Sequence, residues 1–331
     1  MKKIFPPKLN QGDEIRIIAP SRSNAIISDE IKNFAKEKLE EMGYKVSFGK
    51  HINESDEFHS SSIESRISDL HDAFEDKNVK CILTTIGGFN SNQLLKYINW
   101  DIIKNNPKIF CGYSDITTLN NAIFIKTGLV NYSGPHYSTF GQKKYFEYIV
   151  EYFKKCLEIN NSFDIVPSKF WSDASWWRDQ EKRSLIKNEG YWILNEGTAK
   201  GTTIGGNLCT FGLLRGTEYF PDLTDTVIFI EDDDTGNNSF IVEFDRNLQA
   251  LIHQPNFNKV KGLIIGRFNI ASNFTKELLL KVIKSKKELN SIPIIGNVDF
   301  GHTDPKITFP IGGTINLLVE NNNIKITILK H

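Results

Sequence analysis

Strand-like and helix-like segments alternate through the first half of this chain, and that alternation narrows its fold more than any other property. Glu14-Ile-Arg-Ile-Ile-Ala-Pro20 reads as a buried strand, and residues 28–42 repeat apolar side chains at helical spacing through Ile31, Phe34, Leu39 and Met42. Tyr44-Lys-Val-Ser-Phe48 is a second strand. A segment opening at Ser62, with Ile67, Leu70 and Phe74 on one face, is a second helix. Val79 to Ile86 and Lys108 to Gly112 read as further strands, and Asn92–Ile98 and Ile116–Lys126 as further helices. Strands and helices alternating at these lengths predict a parallel, Rossmann-like sheet covered on both faces, here assigned to residues 1–155.

Beyond that point the pattern changes. Residues 156–200 form a connecting segment rich in Trp, Asp and Gly, without clear periodicity, of the kind that carries function. Strands resume at 225–230, 260–265, 315–319 and 324–329, with helices near 241–252 and 275–287 and a hairpin turn at Asn321-Asn-Asn323. Residues 201–331 are therefore expected to form a smaller, sheet-rich α/β domain. The glycines of Gly201-Thr-Thr-Ile-Gly-Gly-Asn207 are assigned to turns, because neither they nor Gly87-Gly88 complete a nucleotide-binding glycine motif.

Composition excludes several classes. Lys+Arg and Asp+Glu number 40 each in 331 residues, so no bulk charge favours nucleic acid or an anionic membrane. The four cysteines form no C-x-x-C pair, which argues against structural zinc and a disulfide framework. Pro6, Pro7, Asn10 and Asp13 interrupt the amino-terminal stretch before an apolar signal core forms, and no run approaches a membrane span. A cytoplasmic protein is expected.

Ligands of open parallel sheets bind at the carboxyl ends of the strands. One strand ends at Gly87-Gly88-Phe89 and another at Gly112-Tyr-Ser-Asp115, directly before a helix. A serine on such a turn is exposed above unpaired backbone N–H groups that can stabilise an oxyanion. It can equally be an ordinary helix N-cap. Glu231 ends a strand and opens the run Glu231-Asp-Asp-Asp-Thr-Gly236, which fits either a site carboxylate or a solvated turn. An EF-hand reading puts Asp232, Asp234 and Glu243 at ligand positions. It fails because Asn237 stands where glycine is required, so no metal or cofactor is expected. His302, in Asp299-Phe-Gly-His-Thr-Asp-Pro305, follows a strand and is off any core face, which makes it the best-placed base; His136 is second.

Taken in order, Ile17-Ile-Ala-Pro-Ser21, Ile86-Gly-Gly-Phe-Asn-Ser-Asn-Gln-Leu-Leu95, Gly112-Tyr-Ser-Asp-Ile-Thr117, Ile204-Gly-Gly-Asn-Leu208, Ile230-Glu-Asp232 and Gly301-His-Thr-Asp-Pro305 resemble the LD-carboxypeptidase family of serine peptidases, which includes the microcin C self-immunity peptidases. The resemblance covers nearly the whole chain. It implies a Ser-Glu-His triad falling on Ser114, Glu231 and His302, with the nucleophile on the first domain and the other two on the second. The backbone N–H groups of Gly88 and Asp115 would then form the oxyanion hole. It also implies hydrolysis of an amide bond next to a free carboxylate, and it leaves a homodimer open. Trp171-Ser-Asp-Ala-Ser-Trp-Trp177 in the connecting segment resembles the microcin branch, which cleaves a peptide or amino acid from a modified nucleotide. The other branch cleaves muropeptides. Phe89, Trp171, Trp176, Trp177 and Asn207 are the candidate substrate contacts; the tryptophans can stack on a base or pack the loop. A non-catalytic nucleotide- or peptide-binding protein on the same scaffold is the alternative of another class.

Overall fold

The computed structural model describes residues 2–233 and 240–331 and divides into two compact units, neither continuous in sequence. Unit 1 comprises Met1–Asn160, Ser175–Arg183 and Ile307–Gly312; unit 2 comprises Asn161–Ala174, Ser184–Lys306 and Gly313–His331.

The first unit is built on strands β1 (Glu14–Ile18), β2 (Lys45–Phe48), β3 (Val79–Thr84), β4 (Ile109–Cys111) and β5 (Asn131–Ser133), all parallel in the order 2-1-3-4-5. Between them run helices α1 (Asp29–Glu41), α2 (Ile63–Glu75), α3 (Trp100–Asn105) and α4 (Thr117–Thr127); α5 (Glu147–Leu157) follows β5. Ser28 and Ser62 cap α1 and α2, accepting from the N–H groups of Ile31 and Ser65. The periodicity of residues 92–98 does not become a helix. A short 3-10 turn at Ser91–Leu94 stands there, and α3 starts later because the Asn99 side chain caps it, accepting from Asp101 N–H. Helix α4 is buried on almost every side, as its lack of a polar face requires.

The second unit holds β6 (Phe163–Ile165), the two-stranded β7 (Phe170–Trp171) and β8 (Ile186–Lys187), and then β9 (Trp192–Asn195), β10 (Gly197–Asn207), β11 (Thr226–Glu231), β12 (Gly262–Gly266) and β13 (Ile294–Val298). Strands β10 to β13 are parallel neighbours, and antiparallel partners flank them on either side. Strand β14 (Phe309–Ile311) returns to the first unit as an antiparallel edge beside β5. The chain ends in the hairpin β15 (Thr314–Glu320) and β16 (Asn323–Lys330). Its turn residues Asn321 and Asn322 both have positive φ, the pair of conformations a two-residue hairpin needs.

The glycines at 201, 205 and 206 belong to a strand, not to turns. A Cβ on Gly201 would lie 2.7 Å from the Asp225 carbonyl oxygen, and one on Gly205 would lie 2.1 Å from that of Phe229. Their service is to let β10 press against β11, not to reverse the chain.

Candidate active site

Each sheet carries a cluster of polar side chains at the carboxyl edge of its parallel strands. In unit 1 the strand order reverses between β1 and β3, which opens a crevice at their ends. Ser21, Gly87 and Gly88 lie just past these two strands, and Ser114 follows the neighbouring β4. Ser114 has φ 60°, a left-handed backbone that costs a serine about 1–3 kcal/mol and persists only where its surroundings enforce it.

Those surroundings are specific. The Asp115 carboxylate accepts from Ser21 Oγ at 2.5 Å and from Ser91 N–H at 2.8 Å, and Ser91 Oγ donates to the Asp115 carbonyl at 2.6 Å. Asn120 Nδ2 donates to the Gly112 carbonyl at 2.9 Å. Ser114 sits in a single 3-10 turn, Ser114–Ile116, and α4 begins after it with no side-chain cap. The N-cap alternative is thereby overturned: this serine is strained ahead of the helix and does not cap it. The glycines nearby are sterically required. A Cβ on Gly87 would lie 3.0 Å from Ser114 Cβ and 3.2 Å from its Oγ, and one on Gly88 would lie 2.3 Å from Ser21 Oγ. Phe89, next along, is 81% exposed.

In unit 2 the ends of β10 and β11 bring Asn207 and Glu231 opposite each other in register. Glu231 is buried, and its Oε2 lies 2.8 Å from Nδ1 of His302, on the loop after β13. Two glycines make room for the carboxylate. A Cβ on Gly266 would lie 2.8 Å from Glu231 Cβ, and one on Gly301 (φ +101°) would lie 2.6 Å from Oε2. Burial alone would lower the His302 pKa; the Glu231 charge and its hydrogen bond override this and hold it up at about 9. Asp233 adds to the effect, with a carboxylate oxygen 3.8 Å from Nε2, the opposite edge of the ring. Asp232 is pushed up to about 7, first by burial and then by the charge of Glu231. Its Oδ1 accepts from Asn207 Nδ2 at 3.3 Å, while Asn207 Oδ1 accepts from Thr210 N–H as the N-cap of the short helix α6 (Leu208–Gly212). The Asn207 side chain is thus a structural tie at the edge of this cluster.

The three tryptophans part company. Trp171, half-buried in unit 2, lies under the Arg267 guanidinium, 5.1 Å from ring centre to cation, and Arg267 donates to Asp299 at 2.6 Å. Trp176 belongs to unit 1 and is buried against Ile27 and Ile31, with Ile26 and Ile86 packed beside them. Packing describes Trp176, since those contacts occupy its ring. Trp177 meets it edge-on at 5.9 Å and is itself 55% exposed.

Of the calcium-loop positions, Asp234 and Asn237 lie outside the described residues, while Glu243 is ion-paired with Arg246 on helix α7 (Phe240–Ile252). Among the described residues no group of three or more His, Cys, Asp or Glu side chains could hold a metal ion, and no helix is long and apolar enough to cross a membrane. Sequence reasoning did not anticipate Asp233 at Nε2 of His302 or Ser21 as a partner of Asp115. Neither has a signal of its own, since each matters through a side chain distant in sequence.

Comparison with known proteins fixes the ancestry of these clusters. Residues 15–134 match the model of the LD-carboxypeptidase N-terminal domain, and residues 200–317 that of the LD-carboxypeptidase C-terminal domain. The chain belongs to the LD-carboxypeptidase family. It is accordingly an enzyme of the carboxypeptidase class, with the mixed α/β fold of its relatives. The Bacillus subtilis protein YocD, itself provisionally named a carboxypeptidase, is 54% identical over 99% of this chain and 100% of its own length. The microcin C7 self-immunity protein MccF of Escherichia coli is 31% identical over 96% of this chain and 93% of its own. A Bacillus subtilis protein provisionally named a murein peptide carboxypeptidase is 29% identical, covering 94% of this chain and 92% of its own length.

Among solved structures, an MccF-like protein from Bacillus anthracis superposes with a TM-score of 0.98 at 52% identity, covering 99% of this chain and 100% of that one. MccF in complex with glutamyl sulfamoyl guanosine gives 0.87 at 28%, covering 98% of each chain. Its complex with aspartyl sulfamoyl adenosine gives 0.89 at 29%, covering 99% of each.

Proposed function

We propose that this carboxypeptidase cleaves an amide bond next to a free carboxylate in an aminoacyl- or peptidyl-nucleotide, with Ser114 as nucleophile and His302 and Glu231 completing a triad. The observation that carries the reading is the pairing of properties in the two clusters: a serine held in a strained turn after β4, next to the sheet's switch point, and a histidine fixed at Nδ1 by a buried carboxylate.

The chemistry follows the general triad logic. His302 Nε2 takes the proton of Ser114 Oγ as the oxygen attacks the scissile carbonyl. The backbone N–H groups of Gly88 and Asp115 receive the charge that develops on the carbonyl oxygen. His302 then passes the proton to the leaving amine, leaving an acyl group on Ser114 that water removes by the same steps in reverse roles. Glu231 holds the imidazole tautomer with Nδ1–H toward itself, so that Nε2 is the acceptor.

The nucleotide part of the reading is supported by two of the ligands held by MccF, aminoacyl sulfamoyl nucleosides, and by the exposed ring of Trp177 and the half-buried ring of Trp171. Muropeptide cleavage is the second reading, favoured by the likeness to the murein peptide carboxypeptidase. The deciding experiment assays the purified protein, with Ser114→Ala beside it, on glutamyl sulfamoyl adenosine and on a muropeptide tetrapeptide. Ser114→Ala is expected to lower kcat by about 10³-fold or more without loss of fold. Retention of more than a tenth of the wild-type rate would remove Ser114 as the nucleophile. A specificity constant larger for the tetrapeptide would transfer the protein to murein processing.

A further inference from the structure

A second histidine stands beside Ser114 in unit 1. His136 is 3% exposed, and its ring stacks on that of Tyr113, the residue before the nucleophile, with centroids 4.3 Å apart and planes 29° from parallel. Its Nδ1 lies 2.8 Å from Thr84 Oγ1, at the end of β3, and the same hydroxyl lies 3.3 Å from the Cys111 carbonyl, at the end of β4. Its Nε2 edge borders Gly87. A Cβ placed on that glycine would lie 3.4 Å from His136 Nε2 and 3.2 Å from Ser114 Oγ, so both atoms flank a single point.

We infer that His136 is the positioning residue of the nucleophile, an imidazole that locks the left-handed Ser114 turn by gripping Tyr113 and joining the ends of β3 and β4. The inference rests on the reading of Ser114 as nucleophile. A left-handed serine needs restraint on both sides of its Cα to stay there. Asp115 restrains the residue after it, through Ser21 and Ser91. His136 restrains the residue before it, by stacking on the Tyr113 ring. The Thr84 hydroxyl has one proton. Donated to the Cys111 carbonyl, it leaves the oxygen to accept from Nδ1–H, which fixes the orientation of the ring. The bland alternative is a buried histidine that only fills space; it predicts a loss of stability without a change in the rate of correctly folded sites.

The test compares His136→Ala, His136→Asn and His136→Phe with wild type, with Ser114→Ala as the control for the parent reading. Asn retains a polar atom for Thr84, and Phe retains the ring on Tyr113. Rates are normalised to sites titrated with a serine-reactive phosphonate, so that misfolded protein drops out. His136→Ala is expected to lower kcat per titrated site by about 10- to 100-fold, the effect of a nucleophile displaced by a fraction of its reach, with KM within about threefold. His136→Asn and His136→Phe should each recover part of the loss, and the acid limb of the pH profile should stay in place. An unchanged kcat per titrated site, whatever the melting temperature, would overturn the inference. So would a vanished acid limb, which would make His136 the base, or a change confined to KM, which would make it a substrate contact. If Ser114→Ala keeps its activity, the parent reading fails and not only this one.

Discussion

As the proposed base, His302 starts from the wrong protonation state. With its pKa raised to about 9 by Glu231, against the downward pull of burial, the free enzyme holds it mostly as imidazolium at pH 7. In the proposed mechanism only the neutral ring accepts a proton from Ser114, so kcat/KM is expected to rise with pH up to an apparent pKa near 9. Asp233 contributes to this by facing Nε2, the atom the reaction needs. Asp233→Asn should therefore move the acid limb downward and raise kcat/KM at pH 7, as a pH–rate profile of both proteins would show; an unmoved limb would mean that Asp233 swings away before chemistry. Glu231→Gln should also lower the limb, but with a fall in kcat of roughly 10³–10⁴-fold, because the amide no longer enforces the tautomer. For stability the sign runs the same way as for any raised histidine. The Glu231–His302 pair stabilises the fold fully below the unfolded histidine pKa of about 6.5 and loses that contribution as pH climbs through about 9.

At the scale of elements, the chain is legible where apolar spacing has time to repeat. Helices α1, α2 and α4 and strands β1 to β4 stand within a few residues of where their patterns put them, and Ser28 and Ser62 announce two of the helices. Strand β10 is not legible, because Gly201, Gly205 and Gly206 mimic a turn and carry no side chain to alternate. Strand β5 is three residues of Asn, Tyr and Ser, too short and polar to register. The close approach that hides β10 also makes it fragile. Gly205→Ala would meet the Phe229 carbonyl and force a left-handed residue at φ +103°, so a melting curve is expected to fall by several degrees even though no site residue is touched. The candidate site shows the same divide. Ser114, Glu231 and His302 lie in short motifs readable in order, whereas the place of His136 depends on Thr84 and Tyr113 at two other strand ends.

For the molecule as a whole, the tryptophans of the connecting segment separate stability from specificity. Adjacent residues point opposite ways, which composition alone cannot resolve: Trp176 is buried in a cluster of isoleucines and Trp177 is more than half exposed. Trp176→Ala should cost about 3–5 kcal/mol and lower Tm on the order of 10 °C, taking activity on every substrate with it. Trp177→Ala and Trp171→Ala should leave Tm near wild type and change the ratio of specificity constants, with a loss of about five- to hundredfold on a nucleotide substrate and little on a tetrapeptide. The comparison needs both substrates and a melting curve for each variant. Equal losses on both substrates would leave the exposed rings without a role in base recognition.

The edge strand Phe309–Ile311 belongs to the sheet that carries Ser114, yet it is separated from that sheet's other strands by most of the second unit. A ribosome makes β1 to β5 early and β14 very late. Through the interval the edge at β5 has unpaired backbone groups, the kind of surface that invites wrong partners. The nascent unit that carries Ser114 therefore waits, with one side open, for a segment that has not been made. Shielding of that edge during synthesis, and not the stability of the finished sheet, is where this chain is most exposed to misassembly.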